Sequence, residues 1–475
     1  EIPPGVDPLS PDNILIVNTG PLTGTGAPSS SRFNVTTKNV LTGGIASSNC
    51  GGSFGSRLRR AGFEGLIIRG KAPNPIYIEI LEGEIRIKDA GHLWGLDTRE
   101  TQKRFDHRHG LLVIGPAGEN LVRFACAVSG ERVIGRCGVG AVMGSKNLKG
   151  LVAFGSREIA AENPKPFREF NRRWIKLLQS HEATGQILPR YGTANFVKKI
   201  NAAGILPTRN YSRGEFGQAD LISGEFMAER YLTRNTGCVS CPIRCERRVK
   251  LGEREIKGPE YETLGMLGSN LEISDLEMIS AWNHQSDLLG LDTISLGGVL
   301  GFAMELGERG IRDYGLRFGD PTGIEEAIRK IAYREGEFAD LADGVRALAQ
   351  KTGGEDFAIH SKGLELAAYD PRKSAGMGLG YATANRGGCH LNAGYLVFLE
   401  AIGPLKIDAM TAKGKPELTV LFQNGMEAIS AAGFCLFTSF TLVPNMLYKL
   451  KPGGLLLRMV GASMVGSRFL LGKLG

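Results

Sequence analysis

Three closely spaced thiols constrain this chain more than any other feature. Cys238, Cys241 and Cys245 follow a C-x2-C-x3-C pattern within eight residues, and buried structural cysteines have no reason to repeat at this interval. A four-iron cluster takes four thiolates, and a short loop that ends in a helix can present three of them to one cubane. Zinc usually takes its ligands from two separated pairs, and radical enzymes that use S-adenosylmethionine carry the reverse spacing. The pattern therefore predicts a metal centre completed by a fourth, distant cysteine.

Length and composition indicate a large globular enzyme. The chain has 475 residues, 42% of them hydrophobic and 22% charged, which fits two to four domains. No run of about twenty apolar residues occurs, so we expect no membrane span. The net charge of +8 is modest and no Lys/Arg block is interleaved with aromatics, which argues against a nucleic-acid partner. A basic face could instead attract an acidic electron carrier.

The cysteine content also bears on cellular location. No secretory signal is visible at the start of the sequence, which opens on Glu1 in what reads as a loop. The chain has eight cysteines, some of them clustered for metal, and such thiols persist in a reducing compartment. We therefore expect a cytoplasmic protein.

The residue pattern changes along the chain and predicts an α+β fold. Short strand-like runs bounded by turn formers occur at 13–17, 65–68, 76–80 and 111–114. Helical periodicity follows at 167–178, 275–290, 324–334, 337–351 and 415–432. We predict a β-rich N-terminal domain at 1–160, then two mostly helical domains at 161–359 and 360–475. The apolar tail from Pro452 is expected to form a packed helix.

Three glycine-rich loops point to a bulky cofactor. They lie at 48–52, 135–140 and 385–390, and each combines glycine with Asn or Arg. Glycine lets the backbone approach a ligand closely, and arginine offers paired donors to phosphate. One such loop is usually only a turn, but three of them favour a phosphate-bearing cofactor.

Several longer segments together resemble one known family. They are Pro21-Leu-Thr-Gly-Thr25, Ile114-Gly-Pro-Ala-Gly-Glu119, Gly138–Lys149, Gly258-Pro-Glu-Tyr-Glu262, Leu289–Ser295 and Asn385-Arg-Gly-Gly-Cys-His390. With the cysteine loop, these segments resemble the aldehyde:ferredoxin oxidoreductase family of tungsten enzymes, in the same order and over essentially the whole chain. Opening strands before Glu1 and most of a helical tail after Gly475 are the parts of the family pattern that the sequence lacks.

The resemblance implies a set of cofactors and ligands. The β-rich domain would form a base for two pyranopterins that hold one tungsten, with molybdenum as the alternative metal, beside a 4Fe–4S cluster. The fourth cluster ligand would be Cys435, although on the bare sequence Cys50, Cys126, Cys137 and Cys389 stay open. The implied pterin-binding residues are Arg32, Asn49, Gly51, Arg132, Val133, Gly135, Arg136, Asp287, Leu291, Asp292, Arg386, Asn392, Ser430 and Phe434.

Two of the implied residues predict a Mg²⁺ site, and three positions differ from the family pattern. Asn49 and the Val133 carbonyl fall where the family binds a Mg²⁺ that bridges the two pterin phosphates, a setting that suits this cation. Ser430 replaces the usual aspartate, and Asn392 stands where a lysine can occur. Where relatives carry E-x-x-H and bind a metal between subunits, this chain has alanine at the carboxylate position and keeps only His284. We therefore predict no bridging metal, with His284 as a surface or packing residue. A homo-oligomer and a complex with an electron-transfer subunit both stay open.

Glu262 and His390 are the catalytic candidates that the resemblance implies. A glutamate buried beside an apolar pocket has a raised pKa and can act as a general base. A histidine can donate a hydrogen bond to a developing oxyanion. The alternative for Glu262 is structural, because glutamate near a helix N-terminus is commonplace.

The predicted function is tungsten-dependent oxidation of aldehydes to carboxylic acids, with electrons passed through the cluster to ferredoxin or another acidic carrier. One alternative is a related tungsten or molybdenum reductase that acts on an aromatic acyl thioester. The other is a cluster-bearing electron-transfer subunit without catalysis. Retention of Glu262, His390 and the phosphate-binding arginines favours the first.

Overall fold

The computed structural model describes residues 2–450 and, beyond them, positions 454, 457, 459, 461 and 463. The helix predicted for the tail after Pro452 therefore lies mostly outside the described residues. Within the described part of the chain, no helix is both long and apolar enough to cross a bilayer.

Two sheets build the N-terminal β-rich region. The strands are β1 (Leu15–Thr19), β2 (Phe33–Lys38), β3 (Ile45–Cys50), β4 (Gly65–Ile68), β5 (Ile76–Leu81), β6 (Glu84–Asp89), β7 (Gly110–Ile114), β8 (Ala127–Ser129), β9 (Arg132–Ile134) and β10 (Leu148–Phe154). The antiparallel first sheet has the order β3–β2–β1–β4, and the second has the order β6–β5–β10–β7–β8–β9, with β5 and β10 parallel. In β2, Phe33, Val35 and Thr37 are buried and alternate with half-exposed residues, the period that a sheet with one buried face requires.

Short helices connect these strands. They are α1 (Phe54–Arg60), α2 (Thr98–Lys103), α3 (Pro116–Glu119) and α4 (Val139–Ser145). Helix α1 packs on β7 and β10 and places Phe54 and Leu58 in the core. The predicted strand runs at 65–68, 76–80 and 111–114 all coincide with observed strands.

The central region is mostly helical but contains a sheet that the sequence pattern did not predict. Its helices are α5 (Pro164–Ser180), α6 (Leu188–Tyr191), α7 (Phe196–Ala202), α8 (Gly224–Arg230), α9 (Tyr261–Thr263), α10 (Leu276–Leu289), α11 (Thr293–Glu308), α12 (Ile324–Tyr333) and α13 (Val345–Thr352). The sheet consists of antiparallel strands β11 (Leu232–Thr236), β12 (Glu246–Leu251) and β13 (Arg254–Lys257). Helix α11 is buried along most of its length.

The helical run predicted at 337–351 is helical in the structure but is broken at Gly344. A 3₁₀ segment at Gly336–Asp343 is separated from α13 by Gly344, whose φ of 86° is left-handed. The Glu365 carboxylate then accepts the Val345 N–H at 2.8 Å and so starts a new helix. Glycine permits this break because it has no Cβ penalty at positive φ.

The last region contains β14 (His360–Ser361), β15 (Leu364–Glu365), α14 (Ala375–Thr383), α15 (Lys415–Ala431) and α16 (Asn445–Tyr448). Helix α15 contacts β2 and α14, so this region closes over the first sheet. A β-rich region followed by helical regions confirms the predicted α+β fold.

Candidate functional site

One cavity of about 330 Å³ collects most of the residues that the sequence singles out. Its wall contains the four predicted cluster cysteines, both predicted catalytic residues and five of the predicted pterin residues. They are Cys238, Cys241, Cys245, Cys435, Glu262, His390, Arg32, Asn49, Gly51, Arg132 and Val133. The cavity therefore lies where the β-rich region meets both helical regions.

The cysteine loop is a hairpin that joins β11 to β12, not the entry to a helix that the spacing suggested. Its tight course uses two non-glycine residues in left-handed conformation, Ser240 at φ 58° and Arg244 at φ 50°. The Cys241 N–H donates to the Cys238 carbonyl at 3.1 Å. Ser29 fastens the loop to the β-rich region, because its N–H donates to the Ser240 carbonyl at 3.0 Å and its Oγ lies 3.3 Å from Cys241 Sγ.

Cys435 reaches the same place from the far end of the chain. Its N–H donates to the Ser29 carbonyl at 2.9 Å, and Arg32 Nη2 donates to its Sγ at 3.4 Å. Burial raises the pKa values of the Cys241 and Cys245 thiols, and the nearby Cys435 raises both further. Cys241, Cys245 and Cys435 all line the same cavity.

Cys50 is the other cysteine in the cavity wall, and burial raises its pKa to about 12. Cys126, Cys137 and Cys389 are buried elsewhere. Among the described residues, no group of three or more His, Cys, Asp or Glu side chains is arranged around a single metal ion. The thiolates of a cubane bind separate iron atoms, so a cluster does not require such convergence.

Gly51 makes room for the cysteine loop, and its replacement should disturb the cluster site. A Cβ on Gly51 would stand 2.7 Å from Cys238 Sγ, well inside van der Waals contact. We expect Gly51→Ala to lower bound iron per chain, measured by elemental analysis. Gly425→Ala is the matched control, because Gly425 lies in α15 with open space around it. That control should keep the iron and gain up to about 1 kcal/mol of stability, whereas equal iron in both variants would contradict the assignment.

Two helices dock on the β-rich region in the same way. Helix α10 ends at Gly290 (φ 78°), and the Gly290 carbonyl accepts the Cys126 N–H at 2.7 Å. Just after α15, Gly433 (φ 89°) accepts the Arg32 N–H at 3.2 Å. Each glycine carbonyl at the end of one of these helices thus ties its segment to the β-rich region.

Buried donors without acceptors mark a site for an anionic group. Among the described residues, the side-chain nitrogens Arg32 Nε, Asn49 Nδ2, Arg136 Nε and Nη1, and Arg386 Nε are buried and make no hydrogen bond. Leaving a buried donor unsatisfied costs about 1–3 kcal/mol, more for a charged group. Three arginines with spare donors fit the phosphates of a pterin cofactor.

The other nine predicted pterin residues are not part of the cavity wall. They are Gly135, Arg136, Asp287, Leu291, Asp292, Arg386, Asn392, Ser430 and Phe434. Asp292 caps α11 and lies 3.5 Å from Arg136 Nη1. The ring of Phe434 packs on Trp174, with centroids 4.7 Å apart. Asn392 donates to Glu427. The pterin contacts of these residues stay predictions.

A second cavity adjoins the first through Lys257, which lines both. Asp287 Oδ2 lies 3.2 Å from Lys257 Nζ on this side. His284 lines the same second cavity, is partly exposed, and has its pKa lowered by burial. Asp287 therefore lies close to the central cavity, because its ion-pair partner Lys257 lines that cavity.

Glu262 and His390 face each other in the central cavity. Glu262 Oε2 accepts the Ala368 N–H at 2.9 Å, while its Oε1 lies 3.4 Å from His390 Nδ1 without a hydrogen bond. Burial raises the pKa of the Glu262 carboxyl, although the histidine opposes this. Burial likewise lowers the pKa of the His390 imidazole. The pair therefore combines a carboxylate of raised basicity with an imidazole that favours its neutral form.

Glu260, two residues away, has the opposite character. It accepts a hydrogen bond from Thr193 and pairs with Arg247 at 3.3 Å. Burial would raise its pKa, but Arg247 and Thr193 outweigh burial and lower it. Arg247 also donates to the carbonyls of Cys245 at 2.7 Å and Pro259 at 2.8 Å. This arginine therefore fastens the cysteine loop to the segment that carries Glu262.

Sequence reasoning missed two tyrosines and an apolar wall. The hydroxyls of Tyr369 and Tyr395 lie 3.0 Å apart, and both residues line the cavity. Tyr395 has a φ of 52°, a conformation that is costly for a bulky residue and is often found at functional sites. The apolar side chains in the wall are those of Val133, Phe196, Ile243, Leu391, Met426, Leu436, Phe437 and Phe440. No local motif marks these residues, since they come from separate segments.

Comparisons with known proteins agree with this geometry. A sequence model of the aldehyde ferredoxin oxidoreductase N-terminal domain matches residues 1–155, and one of domains 2 and 3 of that enzyme matches residues 169–460. The tungsten-containing aldehyde ferredoxin oxidoreductase of Pyrococcus furiosus is 46% identical over 460 residues, covering 93% of this chain and 76% of that protein. The protein of the same name from Thermococcus kodakarensis is 44% identical over 458 residues, with the same coverage.

A solved structure shares the fold. It is the active-site complex BamBC of benzoyl coenzyme A reductase in complex with 1,5-dienoyl-CoA, with a TM-score of 0.78 and 24% identity over 92% of this chain and 75% of the other. At this identity the likeness shows the fold alone. The sequence relatives and the matched domains confirm the predicted resemblance. The chain belongs to the aldehyde ferredoxin oxidoreductase family.

Proposed function

We propose that this protein oxidises aldehydes to carboxylic acids at a tungsten bis-pyranopterin and passes the electrons through a 4Fe–4S cluster to ferredoxin. The observation that carries the proposal is the single cavity that joins four cysteines, the Glu262–His390 pair and Arg32. Relatives named as tungsten-containing aldehyde ferredoxin oxidoreductases are 46% identical, against 24% for the benzoyl coenzyme A reductase chain. This difference favours the aldehyde reaction over the acyl-thioester alternative.

The residues present fit the implied cofactors. Cys238, Cys241, Cys245 and Cys435 would hold the cluster. The unsatisfied donors of Arg32, Arg136 and Arg386 would bind pterin phosphates. Asn49 Oδ1, which accepts a hydrogen bond from Arg32 Nη1 at 2.9 Å, and the Val133 carbonyl would supply oxygen ligands to a Mg²⁺. When bound, the metallopterin supplies two-electron redox chemistry at low potential.

The chain itself supplies proton transfer and orientation. Oxidation of one aldehyde consumes one water and releases two electrons and two protons. Glu262 Oε1, free of protein hydrogen bonds within the described structure, can take a proton from the attacking water. Neutral His390 can donate to the carbonyl oxygen as negative charge develops there. The apolar wall then receives the alkyl or aryl part of the aldehyde.

A dye-linked assay tests the proposal. The anaerobically purified protein should reduce benzyl viologen in the presence of short aliphatic or aromatic aldehydes, with about two dye molecules reduced per acid formed because each dye accepts one electron. Acid and reduced dye should be quantified together. Protein with tungsten and iron in place that oxidises no aldehyde would reject the proposal. Reduction of an aromatic acyl thioester by the same protein would favour the alternative reaction.

A further inference from the structure

A small cup opens beside the loop that carries the predicted cluster ligands. It has a volume of about 180 Å³, and its wall includes Val239 and Ser240, the two residues between Cys238 and Cys241. Val239 is 49% exposed, so an apolar side chain stands at the surface directly beside the cluster loop. Its backbone position is fixed, since the Ser240 carbonyl accepts the Ser29 N–H.

The rest of the cup is polar and positively charged. Its other lining residues are glycines, serines and two arginines of α1, Arg57 and Arg60, and none of the described lining residues is a carboxylate. The Arg57 guanidinium packs over the Phe154 ring at 5.5 Å. Arg60 is exposed and makes no side-chain hydrogen bond or ion pair with any described residue. Its charge is therefore available to a partner.

We propose that this cup is the docking surface for an acidic iron–sulfur electron carrier, a proposal that rests on the function proposed above. Protein interfaces combine apolar contacts with polar and charged groups at the rim, as the exposed Val239 combines here with Arg57 and Arg60, and complementary charge speeds encounter between electron-transfer partners. Docking here brings the carrier next to the residues between two cluster ligands. The cluster that the four cysteines would hold would give up one electron, and the oxidised cluster of the carrier would accept it, so each transfer balances.

Two variants of Arg60 test the surface by graded loss of charge. Arg60→Gln removes one positive charge and Arg60→Glu reverses it. With aldehyde as the donor and a purified 4Fe–4S ferredoxin as the acceptor, the KM for ferredoxin should rise in that order, by about tenfold for Arg60→Glu at low salt. The benzyl viologen rate should stay unchanged, because a small dye needs no docking surface. The difference between variant and wild type should shrink at high salt, where exposed charges are screened.

Lys88→Glu is the control, since Lys88 lies on the fully exposed strand β6 and lines none of these cavities. Its ferredoxin KM should stay close to that of the wild type. An unchanged KM in both Arg60 variants would overturn the proposal. So would an equal loss in the ferredoxin and dye assays with iron content retained, because the arginine would then act on the chemistry.

If the proposed function is wrong, the wild-type protein will oxidise no aldehyde in the dye assay, a result distinct from any effect of the Arg60 variants. In that case a salt-dependent titration of ferredoxin binding still tests the cup. Weaker binding by Arg60→Glu than by wild type supports docking there, and equal binding rejects it.

Discussion

Replacing Glu262 with glutamine should lower kcat for aldehyde oxidation by about 10²–10⁴-fold, the usual value of general acid–base assistance. Glutamine keeps the size of the side chain, and its amide oxygen can still accept the Ala368 N–H. The base itself is lost, while the cavity wall and the cysteines remain. Metal content, measured beside the rate, should therefore hold.

The pH profile provides a second readout of the same substitution. Burial raises the pKa of Glu262, and only the deprotonated carboxylate can accept a proton. The wild-type rate should therefore fall as the pH drops through this raised pKa, and the acidic limb should vanish in Glu262→Gln.

Glu260→Gln is the internal control for this assignment. Its carboxylate has a lowered pKa and pairs with Arg247, so the substitution should reduce thermal stability and leave the acidic limb in place. An inactive Glu260→Gln beside a nearly normal Glu262→Gln would reverse our assignment. If neither carboxylate matters, the proposed base has no role.

Replacing Cys435 with serine should remove a cluster ligand and abolish the EPR signal of the reduced 4Fe–4S cluster. Serine is a much poorer iron ligand than thiolate, because iron–sulfur clusters are held by soft thiolates. We expect bound iron to fall well below that of the wild type, with dye reduction lost even where pterin stays bound.

Cys50→Ser is the matched control, since Cys50 lines the same cavity. Cys50 ends strand β3, whereas the Cys435 N–H donates to the carbonyl of Ser29, the residue that also holds the cysteine loop. The control should keep its iron and its EPR signal. A full signal in Cys435→Ser with a lost signal in Cys50→Ser would make Cys50 the fourth ligand.

Local periodicity predicted secondary structure best for strands and helices that bury one face and expose the other. Strand β1, which the run predicted at 13–17 overlaps, and helix α10, predicted at 275–290, carry their signal in their own residues, including the glycine that ends α10 at Gly290. Strand β11 was missed because its residues, Leu-Thr-Arg-Asn-Thr, are mostly polar and partly exposed. The break at Gly344 was missed because its cause, Glu365, lies far along the chain.

The site shows the same division between local and distant signals. The cysteine spacing predicted a metal centre, and the glycine loops predicted a phosphate-bearing cofactor. The roles of Glu262, His390 and Cys435 could be predicted only from the family resemblance. Arg247 and Tyr395 carry no motif, since their roles come from contacts such as Arg247 with the Cys245 carbonyl. The Tyr395 hydroxyl meets that of Tyr369, 26 residues away along the chain, and the local sequence of neither residue predicts this contact.

The metal and pterin content of the purified chain tests the central claim most directly. Elemental analysis and pterin quantification should give tungsten, pterin and iron in a ratio of about 1:2:4 per chain, because four thiolates hold one cubane and the four dithiolene sulfurs of two pterins hold one metal. Molybdenum in place of tungsten would change the metal and keep the ratio. Zinc without iron or pterin would contradict the account.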